Sequence, residues 1–330
     1  MLTSIDANSF KIIDIMNRTS IVSVDIFKFV LSLFVVSIHT EFAKDITNPV
    51  FKEIWILLCN SAVPFFLAVS GYLMYDSVLH KDISRINHQI KKVFLLYVIW
   101  SVLYLPINIY GEIVKYGHTD TWHINIIKGW IFTGENYGSW ILWYLLAFLV
   151  ALLLIRFLIN KMSVESIIML SLLLYLVGGV YSMFHDSFQL FYYDHTFRTT
   201  RNGFFTGLTL LCSGFLVARY KSPNVFLLIL SLCLLYWGDK YIRFLFSGYI
   251  FLSVALHFKI KFEYSVLIRK CSTLIYFTHM LFVFLYKDIL EYNYGLKLFV
   301  LSSISSLGLS LLIIICSTHI KQMRFLKLFT

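Results

Sequence analysis

The chain is written as long apolar runs separated by short polar segments. Runs at about 24–41, 54–75, 93–111, 139–159, 164–184, 203–219, 224–238, 241–258, 272–290 and 296–316 predict ten helices. Most are near the roughly 20 residues that cross a bilayer. Runs such as Ser139 to Ile159 are continuous, whereas a membrane barrel needs segments of about ten residues alternating apolar and polar. The expected fold is therefore all-α, a polytopic membrane protein of about ten transmembrane helices. It divides into a cytoplasmic N-terminal segment (1–23), one transmembrane domain (24–316) and a basic cytoplasmic tail (317–330). Only Gly238, Asp239 and Lys240 join the seventh and eighth runs, so this is where the count is most sensitive.

Composition excludes a soluble protein. Apolar residues make up 59% of the 330 and charged residues 14%, against about 25% charged in a globular domain. The net charge of +10 would suit a nucleic-acid binder, but the basic residues sit between the apolar runs, and no nucleic-acid partner is expected. They alternate in density instead. Seventeen of the 28 Lys and Arg fall in the two termini and the even-numbered loops, ten fall in the odd-numbered ones, and Lys28 lies within the first run. The positive-inside rule then puts both termini in the cytoplasm. The five cysteines form no C-x-x-C pair and no zinc-spaced cluster with histidine, so neither a disulfide framework nor a metal is expected.

Ionisable side chains inside a span cost at least about 2.5 kcal/mol each and mark function by default. The first run carries Asp25, Lys28, His39 and Glu41. Lys28 and His39 are eleven positions apart, which in a helix is an offset of about 20° and a rise of about 16 Å. They share one face at opposite ends, with Ser32 and Ser37 near the same side, and the helix is expected to look into a polar channel. Such a pair offers an imidazole able to take a proton from a hydroxyl and a fixed cation for an anionic donor. The plainer alternative is a snorkelling lysine and a histidine that marks the membrane boundary. Pro64 and Ser70-Gly71 in the second run allow a bend and a close approach, for a ligand or simply for another helix. Arg85, His88, Lys91 and Lys92 form a basic cluster that suits lipid headgroups or donor phosphates. Arg201 and Asn202 stand at the mouth of the sixth run. His279, Trp143 and Tyr144 are open between structural and chemical roles. Trp122, His123, Trp130 and Tyr137 in the long connection 112–138, and Tyr192, Tyr193, Asp186 and Asp194 in 185–202, read either as an interfacial belt or as sugar-facing groups.

Taken together these residues resemble the integral-membrane acyltransferase-3 family, from about Asp25 to about Ile315. The matching positions are Asp25, Lys28 and His39; Val63 to Phe66 with Ser70 to Tyr72; Leu142-Trp143-Tyr144; and Ile275-Tyr276-Phe277-Thr278-His279. Within the family, Leu105 to Tyr110 and Thr200 to Gly203 look like the membrane half of the membrane-bound serine racemases. With about 14 residues after the last run, no pyridoxal-phosphate chemistry is expected. The layout is also similar to that of single-domain O-acetyltransferases of surface polysaccharides. One position departs: where many relatives carry Arg-x-x-Arg at the start of the third helix, this chain has Gln89 and Lys92.

The resemblance implies transfer of an acetyl or other short acyl group from cytoplasmic acetyl-CoA to a hydroxyl of a cell-surface or lipid-linked polysaccharide, in the bacterial cytoplasmic membrane. His39 would be the central catalytic group, as general base or transient acyl carrier, with Lys28 holding donor phosphate or developing charge. Lys91, Lys92, Arg85, Ser70 and Gly71 would serve the donor, and Arg201, Asn202, Trp143 and Glu41 the acceptor. Asp25 and His279 would be structural or auxiliary. A transporter of a small polar solute such as serine is the competing class, since helices lining a polar channel suit both.

Overall fold

A computed structural model describes residues 21–184, 203–220, 229, 240–320, 323 and 326. The described residues form ten labelled helices: α1 (Val22–His39), α2 (Pro49–Leu79), α3 (Ile83–Tyr110), α4 (Trp122–Lys128), α5 (Trp143–Leu158), α6 (Val164–Phe184), α7 (Leu208–Tyr220), α8 (Lys240–His257), α9 (Ser265–Phe284) and α10 (Leu296–His319). No strand occurs among the described residues. Seven helical stretches are long and apolar enough to cross a membrane, and the chain is an all-α polytopic membrane protein. Nine of the ten expected spans coincide with helices. The expected span 224–238 lies outside the described residues, apart from residue 229.

The bundle is arranged as the bilayer requires. Along α10, Leu298, Ser302, Ser306, Ser310, Ile314 and Ser317 are buried while Ile304, Leu312 and Ile315 are exposed. Small residues face protein and large apolar ones face outward, because lipid offers no hydrophobic incentive to hide them. The hydroxyls of Ser306 and Ser310 donate back to the carbonyls of Ser302 and Ser306, 2.6 Å each, which satisfies these two polar groups within the helix.

The central helix is α2, packed against α1, α7 and α8, while α9 packs between α1 and α10 and α3 packs on α5. Glycine sets how closely α2 and α7 approach. A Cβ at Gly71 would lie 1.9 Å from the Leu211 carbonyl oxygen, and one at Gly214 would lie 1.9 Å from that of Ala68. Gly71 is therefore a packing residue against α7. Asn48 caps α2 by accepting from the Phe51 amide at 3.0 Å, and Asp82 caps α3 through Arg85 in the same way, as side chains at that position do.

The connection 112–138 is folded. Buried Glu112 accepts hydrogen bonds from His118 Nδ1 (2.8 Å) and Asn125 Nδ2 (2.9 Å). Asn136 donates to the Ile126 carbonyl at 3.3 Å. The Tyr97 hydroxyl donates to the Trp130 carbonyl at 2.6 Å. Tyr97 stands 13 residues before the end of α3, about 20 Å along its axis, so this segment runs back along α3 instead of lying over its C-terminal end. Tyr137 is buried against Gly111 and edge-on to Tyr116. Burial, and then the Asp288 carboxylate, push its phenol above the ordinary tyrosine range.

Candidate active site

Helix α1 runs unbroken from Val22 to His39, so Lys28 and His39 do share a face about 16 Å apart along the axis. Its C-terminal end is held from two sides. The Trp55 indole of α2 donates to the Ser37 hydroxyl at 2.7 Å. Beyond the helix, the Gly295 amide donates to the Thr40 carbonyl (2.9 Å), and the Leu296 amide donates to the Asp45 carboxylate (2.6 Å). These contacts revise one expectation. Ser32 donates to the Phe29 carbonyl at 2.7 Å and Ser37 is engaged by Trp55, so both hydroxyls serve helix packing and not a channel.

His39 is half-buried at this anchored end. Its ring stacks on Trp140, with centroids 6.4 Å apart and planes 12° from parallel, and lies 5.3 Å from the ring of His279. His279, in α9, is fully buried. Its Nδ1 is 3.0 Å from the Ile275 carbonyl, an acceptor only, so Nδ1 carries the proton and Nε2 is left with its lone pair. That Nε2 is buried with no hydrogen-bond partner. Two imidazoles from the first and ninth labelled helices thus stand side by side, one of them with a free basic nitrogen.

Lys28 lines a cavity of about 170 Å³ together with Ser70, Gln89, Lys92, Tyr144 and Tyr276. On α3, Gln89, Lys92, Val93 and Leu96 reach it because positions i, i+3, i+4 and i+7 share a helix face. Both residues at the divergent Arg-x-x-Arg positions therefore face the same space as Lys28. On its other side Lys28 borders a small pocket of about 30 Å³ with Asp25 and Arg269. Three cations and one carboxylate surround this region, a balance that suits an anion.

His39 does not line the larger cavity. The residue common to both layers is Tyr276, which lines the cavity, donates from its hydroxyl to the Ile141 carbonyl at 3.0 Å, and lies 6.3 Å from the His279 ring. Tyr104, donating to the Phe277 carbonyl at 2.5 Å, and Trp100, stacked on Phe277 at 5.1 Å, fix this part of α9.

The other expected site residues are dispersed. Lys91 and Arg85 are exposed and are not among the cavity's lining residues. Glu41 follows α1 in a left-handed conformation (φ 52°) and pairs with Lys44. Trp143 is buried with its backbone against Gly134. Arg201 and Asn202 lie outside the described residues, as do Asp186, Tyr192, Tyr193 and Asp194. Trp140, Ser272 and Thr273 contribute to the site without having been singled out by sequence. The only available hint was their position next to the Leu142 to Tyr144 and Ile275 to His279 motifs.

Residues 21–318 match the family described as an acyltransferase domain, of the acyltransferase-3 type. Among curated proteins, an amino-acid racemase of Enterococcus faecalis is 29% identical over 232 residues, 64% of this chain and 31% of its own length. A serine/alanine racemase of Enterococcus gallinarum is 26% identical over 256 residues, 71% of this chain and 36% of its own length. The chain thus spans about a third of the length of these relatives. No solved structure matches it significantly.

Proposed function

From the premise that the chain belongs to the acyltransferase-3 family, we propose that it moves a short acyl group, acetyl in the simplest case, from acyl-CoA to a hydroxyl of a cell-surface or lipid-linked glycan. The observation that carries this reading is the two-layer arrangement of a cationic cavity around Lys28 and Lys92 and a histidine pair above it, joined at Tyr276.

Acyl transfer from a thioester needs a base for the incoming hydroxyl and positive charge near the anionic donor. His39 takes the hydroxyl proton as the acceptor oxygen attacks the thioester carbonyl. The carbon–sulfur bond breaks, and the CoA thiolate leaves and is protonated. The imidazolium formed on His39 is stabilised by the unprotonated Nε2 of His279, which has no other partner. In the variant route His39 first carries the acyl group itself. Lys28 and Lys92 hold the donor's negative charge, and the basic loops orient that side toward the cytoplasm of a bacterial cell membrane. The racemase activity for which the relatives are named belongs to proteins about three times the matched length.

The test is chemical analysis of the host's surface polysaccharide, with and without the gene, for ester-linked acyl groups. Loss of a defined ester on deletion, restored by the wild-type gene, supports the reading. An unchanged polysaccharide together with gene-dependent uptake of labelled serine into membrane vesicles would replace it with the transporter.

A further inference from the structure

A second cavity, of about 420 Å³, lies between the α2–α3 turn and the α5–α6 turn. Its volume falls within the roughly 300–1,000 Å³ usual for small-molecule sites. Leu79 and Met162 give it apolar walls, and Lys81, Asn160, Lys161 and Ser163 give it polar ones. The one carboxylate on its rim, Glu165, is engaged by the Arg219 guanidinium, which leaves the two lysines as the uncompensated charges. Lys161 is steadied over the Phe157 ring, 3.6 Å from its centroid. Lys81 adopts φ 55° just beyond the end of α2, a left-handed position that glycine normally fills and that an L side chain occupies at a cost.

This cavity and the one around Lys28 both touch α2 and lie toward opposite ends of α5. Ser70 lies eight residues before Val78, and Phe148 eleven residues before Ile159. At 1.5 Å per residue these spacings correspond to about 12 and 16 Å. Eleven residues also bring Phe148 and Ile159 within about 20° of one another on α5.

We propose that the second of these two chambers, at Lys81 and Lys161, is a phosphate-recognising site that docks the nucleotide end of the acyl donor. This rests on the acyl-CoA reading above. The apolar walls suit a purine, the lysines suit its phosphates, and the separation matches an extended pantetheine arm reaching from there to Lys28. An anionic lipid headgroup would present the same phosphate chemistry, but has no reason to require a second cationic cavity at this distance.

The experiment uses the full chain in nanodiscs, with acetyl-CoA and with S-acetylpantetheine, which lacks the nucleotide. The Lys81→Gln/Lys161→Gln variant is expected to raise KM for acetyl-CoA roughly tenfold, the effect of losing about one charge-assisted hydrogen bond. Its kcat, and both constants with S-acetylpantetheine, should be unchanged. Lys81→Gly should raise the melting temperature while also raising KM for acetyl-CoA, a combination that a purely structural lysine would not produce. An unshifted KM for acetyl-CoA, equal shifts for both donors, or a KM effect seen only when phosphatidylglycerol is present would overturn the site. Wild-type protein that transfers nothing from either donor would bring down the functional reading and this site together.

Discussion

The ring of His39, the last residue of α1, lies 5.3 Å from the ring of His279 in the middle of α9. His279 is fully buried, with its Nδ1 turned to the Ile275 carbonyl. A buried polar atom without a partner costs about 1–3 kcal/mol, and the unbonded Nε2 stands beside a second imidazole that could donate to it. His279→Gln is expected to leave the protein in the membrane with a near-normal melting temperature, and to lower kcat about 10²-fold, as mispositioning of a reacting group does. Its KM for acyl-CoA should stay unchanged. Steady-state kinetics of the purified variant check this, and a KM effect alone would contradict it.

Lys28 should show the opposite signs for stability and activity. Burying a lysine within a span is unfavourable by about 2.5 kcal/mol or more, so Lys28→Met is expected to stabilise the fold against heat. The same change removes a cation from the cavity proposed for the donor and should raise KM for acyl-CoA at least about tenfold. Thermal unfolding in detergent and donor titration together check the pair of signs.

Helix packing at α2 and α7 gives a prediction independent of function. Gly71→Val would drive a side chain into the Leu211 carbonyl, which is backbone and cannot swing away. A loss of about 1–3 kcal/mol or more is expected, seen as a lowered melting temperature. Replacement at Gly308, where an added Cβ would meet open space, should be nearly neutral in the same assay.

The folded connection 112–138 depends on Glu112. Glu112→Ala frees His118 and Asn125 from their shared acceptor, at about 1–2 kcal/mol, and should speed proteolysis within this segment in intact vesicles. Tyr137 adds an alkaline limit. Because its phenol is raised in the folded state, its stabilising contribution is complete below the unfolded tyrosine value near 10 and is lost as pH rises through the folded one. Protection from protease should therefore persist through neutral pH and fall only in strong alkali.

The spans were legible because hydrophobic runs report directly on the solvent a helix meets. Lys28 and His39 were legible as a pair because eleven residues is close to a whole number of helical turns. The structure adds what periodicity within one segment cannot carry. Ser37 sits on the same helix but meets Trp55 of α2, and Gly71 sits in a motif beside Ser70 but meets α7. The contact between His39 and His279 joins segments far apart in sequence. The belt reading of 112–138 missed its folding because Glu112, His118 and Asn125 form a hydrogen-bonded unit whose spacing follows no helix or strand period. Tyr276 was visible only as part of a motif, and its position between the cavity and the imidazoles required the packing of α9.

The central claim is that His39 performs acyl transfer across the layer marked by Tyr276. It is tested most directly in sealed inside-out vesicles given radiolabelled acetyl-CoA on the outside, the face that was cytoplasmic, with label then measured in the glycan fraction. Wild-type protein should transfer label, and His39→Ala, at equal abundance in the membrane, should do so about 10²–10⁴-fold more slowly. Equal transfer by the two proteins would contradict the account.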